Sequence, residues 1–357
     1  MTMKKIFSLT SLSTLALAVT KDQEWAAIQS LEKLWTSDNR DRAPNAVRFG
    51  FHSCFEQGCN GCLDLTNPGN KGLELTYTLL NDIYDNELPN SIPEGDTIMS
   101  RADFWALAAW NAMRATLDDE YHEQADEIGF KYGRIDCPTS PVWPSNFPIS
   151  FPNEKLGVDE IRRSFGKESI FGFTDDEAVA LIGGGHSLGQ AHLAVSGYEG
   201  PWDNSPHQLD AEYFEELVEE TWVQRKTLMH KFQFNEEDFE DDEGNLPPIM
   251  MLNTDMALLK EMKISDNSTG IVSTQCAIIE EDDNSCPDSV LARKTREYAD
   301  GGSDALIPDF LAVYHKLLTT TQDNLDLGTA TGDCPVDNCN GAWSLAFGGL
   351  IFIQGMF

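Results

Sequence analysis

The chain is short of positive charge. Its 357 residues carry 25 Lys and Arg against 59 Asp and Glu, a formal net charge of −34. Such a surface repels phosphate, which excludes nucleic acid as a partner and leaves cationic partners open. Acidic residues are missing altogether before Asp22. Lys4 and Lys5, an apolar run from Ile6 to Val19 and the small-x-small site Ala16-Leu17-Ala18 occupy that stretch. Residues 1–18 therefore read as a secretory signal, with an organelle-targeting leader as the alternative. Apolar runs long enough to cross a bilayer are also missing: LAFGGLIFIQGMF at the C-terminus has thirteen residues, where a spanning helix needs about 20. Membrane association would require that tail to be a lipid-anchor signal, and a polar spacer before it is poorly defined. No parallel-sheet signal is present, which points to a mainly α fold.

What is there supports a sizeable core. The hydrophobic content is 41%, enough for one large domain or about two. Eight cysteines, an even count, suit an oxidising compartment, and Asn267-Ser268-Thr269 is an N-glycosylation sequon. Trp25, Ile28, Leu31 and Trp35 recur at helical spacing, predicting a helix over 22–36. Further helical patterns cover 72–86, 99–117, 157–166, 174–184, 209–222 and 304–319. Residues 137–156 hold five of the sixteen prolines and read as an irregular connection. Asn235 to Glu243 is acidic and reads as a solvated loop.

Two stretches carry chemistry. In the first, Thr174-Asp175-Asp176-Glu177 is an N-cap with acidic first-turn residues, followed by the apolar run Ala178 to Ile182 and three glycines that are expected to end the helix. His186 follows directly, between that helix and an acidic loop containing Trp202. In the second, Pro44 sits at a helix start, and Arg48 and His52 stand four residues apart. Both side chains therefore leave one helix face a single turn apart.

These stretches resemble one family. GGGHSLG with HLAVSGYEGPW is similar to the proximal segment of the haem peroxidase superfamily of plants, fungi and bacteria, closest to its cytochrome c peroxidase and ascorbate peroxidase branch. Arg48, Phe51 and His52 stand in the distal pattern R-x-x-[FW]-H. The Phe51 and the Cys-x4-Cys that follows are more like the secreted classes, whereas the nearer branch usually has Trp before the histidine. The resemblance covers about residues 24–320 and implies a mainly α fold with haem b held between a distal and a proximal helical half. It makes His186 the iron ligand and places Trp202, sixteen positions on, beside it. Asp255, in MLNTD, would bond the other nitrogen of His186 and give it partial imidazolate character. Across the haem, His52 would act as the base that moves a proton between the oxygens of H2O2, Arg48 would stabilise developing charge, and Asn70 in Asn-Lys-Gly-Leu would fix the tautomer of His52.

The resemblance also implies a domain of residues 22–320, interrupted by an insertion at 263–292, and a Cys-containing tail at 321–357. Cys54–Cys59 is the pairing of the secreted classes; Cys276–Cys286 and Cys334–Cys339 would close short local loops, leaving Cys62 with Cys137. Ser187, Asp203, Ser205 and Asp210 match the family's proximal cation ligands, for Ca2+ or K+. The distal calcium positions hold Ser53, Asn60 and Cys62, too few hard oxygens for a dication. The arginine of ascorbate-type enzymes is replaced by Val195, and the acids of manganese-type enzymes by Asp41, Asn45 and His192, so neither donor is supported. The expected function is a secreted peroxidase using H2O2 and a small-molecule electron donor. The alternatives are a cytochrome c-type peroxidase oxidising a basic electron carrier, and a non-catalytic extracellular haem-binding protein.

Overall fold

The computed structural model describes residues 18–36, 39, 41–55, 58–92, 97–142, 151–237, 247–280, 285–320 and 326–332. The expected signal, most of the tail and Cys334–Cys339 lie outside the described residues. The longest helices of the first half among the described residues are α1 (Lys21–Glu32), α2 (Arg42–Phe55), α3 (Glu74–Asp82) and α4 (Arg101–Arg114). Side-chain oxygens fix two of the starts. Thr20 accepts from the backbone N–H of Gln23, and Ser100 from that of Asp103. Every residue of α4 is buried, with α2 packed along it. Gly50 makes the approach possible, since a Cβ there would overlap Ala109 of α4 and the Tyr314 hydroxyl.

The second half contains α5 (Val158–Phe165), α6 (Asp175–His186), α7 (Glu212–Glu219) and α8 (Asn253–Leu259). The long α9 (Ala292–Thr319) packs on α2 of the first half and on α6, α7 and α8 of the second. It bends at Gly302, where φ is 62°, a left-handed value that glycine tolerates without strain. The helix predicted over 304–319 is its second limb; the first carries the Arg296-Glu297-Tyr298-Ala299 phrase. Among the described residues no helix is long and apolar enough to cross a membrane.

The strands are antiparallel and few: β1 (Gln190–Ala191) with β2 (Gly200–Pro201), and a sheet in the order β5 (Met250–Met251), β4 (Phe232–Glu236), β3 (Trp222–Lys226), β8 (Ile278–Ile279). A hairpin, β6 (Ile264–Asp266) with β7 (Ile271–Val272), lies beside it. Two expectations change here. The helix expected over 209–222 stops at Glu219, because Glu220 turns extended and the aromatic and β-branched pair Trp222-Val223 enters the sheet. Asn235 and Glu236 belong to β4 and not to a solvated loop; buried Asn235 donates to the Ile249 carbonyl.

Residues 263–292 are more than a surface appendage. Their strand β8 extends the sheet against β3, and the Val272 N–H donates to Gln224 Oε1. Cys276 and Cys286 are paired and buried beneath this segment. Cys54–Cys59 and Cys62–Cys137 are also paired.

Candidate active site

Helix α6 delivers His186. The Thr174 hydroxyl accepts from the Glu177 N–H and the Glu177 carboxylate accepts from the Thr174 N–H, closing a capping box at its start. The three glycines do not end the helix, which runs through them to His186. Their use is lateral: a Cβ on Gly183 would overlap the Phe214 ring and one on Gly184 the Phe310 ring, so glycine lets two aromatic rings lie on the helix backbone.

The His186 Nδ1–H donates to Asp255 Oδ1 at 2.6 Å, so Nε2 is the ring nitrogen left for another partner. The ring keeps 33% of its surface accessible between buried neighbours, while Asp255 has none. The Trp202 indole stacks on the imidazole at 4.5 Å and 25°, and its Nε1–H donates to Asp255 Oδ2 at 2.9 Å. The Leu252 N–H donates to the same oxygen at 2.7 Å, and the Tyr213 hydroxyl to Oδ1 at 2.8 Å. Burial works to raise the carboxyl's pKa, but His186 and the other donors hold it below its ordinary value, so Asp255 is an anion in an apolar interior.

Helix α2 presents the other group of residues. The His52 Nδ1–H donates to Asn70 Oδ1 at 2.8 Å, and Asn70 Nδ2 donates to the Asp64 carbonyl at 2.8 Å, which fixes which way the amide points. Arg48 Nη2 donates to the carbonyls of Gly69 and Lys71, each at 3.1 Å. Burial first, then the neighbouring Arg48 charge, push His52 down to about 3 against the Asn70 hydrogen bond. Burial likewise pushes Arg48 down to about 10, with Glu74 opposing. Phe51 packs edge-on to His52 at 5.6 Å, and Phe151 lies 4.4 Å from the imidazole centroid.

The two groups meet at one edge. Lys71 Nζ donates to the Ala194 carbonyl at 2.7 Å, and Val195, at the ascorbate-type arginine position, faces Gly72 close to Arg48. Asp41, Asn45 and His192 form no carboxylate cluster; Asp41 lies 3.7 Å from His207, and Asn45 donates to the Asp41 carbonyl. Ser187 and Asp203 are fully buried. Asp203 Oδ1 accepts from the Ser205 N–H, whereas Oδ2 has no partner. The Ser205 hydroxyl donates to Asp210 Oδ2 at 2.8 Å. Burial, then Asp210 and Glu212, push Asp203 up to about 9. Among the described residues no group of three or more His, Cys, Asp or Glu could hold a metal ion, so hydroxyl and carbonyl oxygens would have to complete any shell at Asp203.

Sequence reasoning missed Tyr213 and Phe151. Tyr213 carried one usable signal: a tyrosine on the buried face of a helix needs a partner for its hydroxyl. Phe151 comes from the proline-rich connection and carried none.

A peroxidase family model matches residues 27–269. A protein of Candida albicans that bears the name "Putative heme-binding peroxidase" is 28% identical over 237 residues, 63% of this chain and 71% of the relative. The mitochondrial cytochrome c peroxidase of Emericella nidulans is 35% identical over 160 residues, 45% of this chain and 38% of that protein. The cytosolic L-ascorbate peroxidase 1 of Oryza sativa subsp. indica is 34% identical over 155 residues, 43% of this chain and 52% of that protein. The matched stretch thus spans about half the length of these last two, or less. Both histidines, their hydrogen-bond partners and Trp202 fall inside the matched span, and the chain belongs to the peroxidase family, within the haem peroxidase superfamily.

Proposed function

We propose that this haem peroxidase reduces H2O2 while oxidising a small organic donor, and that it works in or beyond the secretory pathway. The observation that carries the catalytic part is the hydrogen bond from His52 to Asn70. An amide oxygen can only accept, so the proton sits on Nδ1 and Nε2 keeps a lone pair. Nε2 takes a proton from the near oxygen of H2O2 and returns it to the far oxygen, which leaves as water. Arg48, one turn away, stabilises the negative charge that develops as the O–O bond breaks. A protein that only stored haem would need neither the fixed tautomer nor the arginine, which weighs against the non-catalytic alternative.

The residues fit haem. His186 has Nε2 unengaged and one face open, and a buried anion lies behind it. His186 would hold the iron, and Asp255 would keep the imidazole oriented and electron-rich. Haem bound there supplies the redox chemistry, passing electrons from the donor to peroxide.

Trp202, stacked on His186 and sharing Asp255, supports the second reading, a cytochrome c-type peroxidase, for which the net charge of −34 would attract a basic carrier. The paired cysteines favour an oxidising compartment and so count against that reading. The unpartnered, buried Asp203 Oδ2 supports a proximal Ca2+ or K+ on Ser187, Asp203, Ser205 and Asp210. Metal analysis of the purified protein would test this, and a metal-free, fully active enzyme would remove it.

The test of the whole reading is spectroscopic. The purified protein should show a Soret band that changes within milliseconds of adding one equivalent of H2O2 and recovers on adding small phenols faster than on adding ferrous cytochrome c. His186→Ala should lose or alter that band. An unchanged spectrum with full activity in that variant would sink the proposal.

A further inference from the structure

Four hydrogen bonds converge on the Asp255 carboxylate, and they are divided evenly. Trp202 Nε1 and the Leu252 N–H share Oδ2; His186 Nδ1 and the Tyr213 hydroxyl share Oδ1. An ionised carboxylate only accepts, so the phenol must be the donor. Tyr213 and Asp255 are both completely buried, where hydrogen-bond electrostatics are strong and water cannot substitute for a lost partner. Packing alone does not call for the hydroxyl. Phe214, the next residue of α7, fills its place against Gly183 without one, and Tyr213 meets it edge-on at 5.0 Å.

Two donors on one oxygen compete. Each brings a partial positive charge that lowers the negative potential felt by the other. The phenol at 2.8 Å therefore takes up part of the charge that would otherwise draw on the His186 N–H at 2.6 Å. We propose that Tyr213 is a positioning residue that moderates the pull of Asp255 on His186, and through it the electron donation of His186 to haem iron. The inference rests on His186 being the iron ligand. A less electron-rich histidine favours the reduced metal, raising the reduction potential. The site is thereby tuned toward donors that give up electrons reluctantly, at some cost in the push that helps break the O–O bond.

The test uses the full chain with haem bound and reads the metal, not turnover. Tyr213→Phe keeps the ring and removes the hydroxyl. Its reduction equilibrium should shift about tenfold toward the oxidised form, ~59 mV lower for a one-electron couple, and the iron–histidine stretch of the reduced protein should move to higher frequency. Fluorotyrosines placed at 213 alone are more acidic phenols and stronger donors, so the potential should rise in order of their acidity. A purely structural hydroxyl would give no such graded response. An unchanged potential and stretch in Tyr213→Phe, or a flat fluorotyrosine series, would overturn the proposal. Loss of haem from a folded Tyr213→Phe protein would overturn it as well, by making the hydroxyl a tether. A wild-type Soret band in His186→Ala is a separate outcome and would show that the ligand assignment itself had failed.

Discussion

His52 owes its chemistry to its surroundings more than to its type. Its ring is enclosed by Phe51 and Phe151, Arg48 stands on the same face of α2, and Asn70 holds Nδ1. The base must be neutral and the arginine charged. With His52 down at about 3 and Arg48 at about 10, kcat/KM for peroxide should form a plateau between an acid limb near 3 and an alkaline limb near 10. A limb near 6.5 would show that water reaches the imidazole. The same shift bears on stability. Between 6.5 and about 3 the unfolded chain binds a proton that native His52 refuses, so this residue's contribution is full above 6.5 and declines as pH falls through that window. His52→Leu should retain haem and consume peroxide about 100- to 10,000-fold more slowly, a loss read directly in stopped flow. One helical turn put Arg48 and His52 on a shared face, and the family pattern R-x-x-[FW]-H gave that face its role. Asn70 became legible only through the family pattern. Tyr213 and Phe151 were not legible, because their roles depend on contacts across the fold: a hydroxyl of α7 reaching Asp255, and a ring folded back from the proline-rich connection.

At the scale of elements, α6 shows where pattern reading succeeds and where it stops. Thr174 and Glu177 set its start, and the structure has the capping box there. Three glycines ordinarily signal a stop, yet none of the three has positive φ and the helix passes through them. Their reason lies in the rings of Phe214 and Phe310, which no local pattern reports. The difference is measurable. Gly184→Ala would drive a methyl into Phe310 and should destabilise the protein by about 1–3 kcal/mol. Gly185, with nothing within 4 Å of its would-be Cβ, should tolerate alanine and gain about 0.5–1 kcal/mol. Denaturant midpoints of the two variants moving in the same direction would contradict this account. The strands β3 and β4 were misread for a related reason: a stretch of five residues is too short to declare a period, and although the two pair with each other across a short turn, the other neighbour of β3, β8, comes from distant sequence.

For the whole molecule the net charge of −34 sets the terms of approach. Exposed charges act over about 10 Å at 0.1 M salt, so cationic donors should react fastest at low ionic strength and slow as salt is added, anionic donors should do the reverse, and neutral phenols should be indifferent. Second-order rates for three such donors across a salt series would check this, and identical slopes would mean that the field does not reach the site of oxidation. Mainly α architecture was legible at this scale, because helix periodicity is local; the division into two helical halves was implied by the family resemblance and not by any periodicity. The strand by which Ile278–Ile279 join the sheet was not legible, because that register is decided between segments far apart in sequence.

One small contact joins the extremes of the described chain. The Lys21 N–H donates to the Thr331 carbonyl and the Thr331 N–H to the Val19 carbonyl, each at 2.8 Å, with Thr20 and Thr331 running parallel. The folded domain is thus nearly a closed ring, with its two ends held about one strand spacing, ~4.8 Å, apart. Residues 19–21 and Thr331 therefore lie at a single spot of the folded domain. A short linker across that spot would let the chain be opened at another loop while its core connectivity stayed the same.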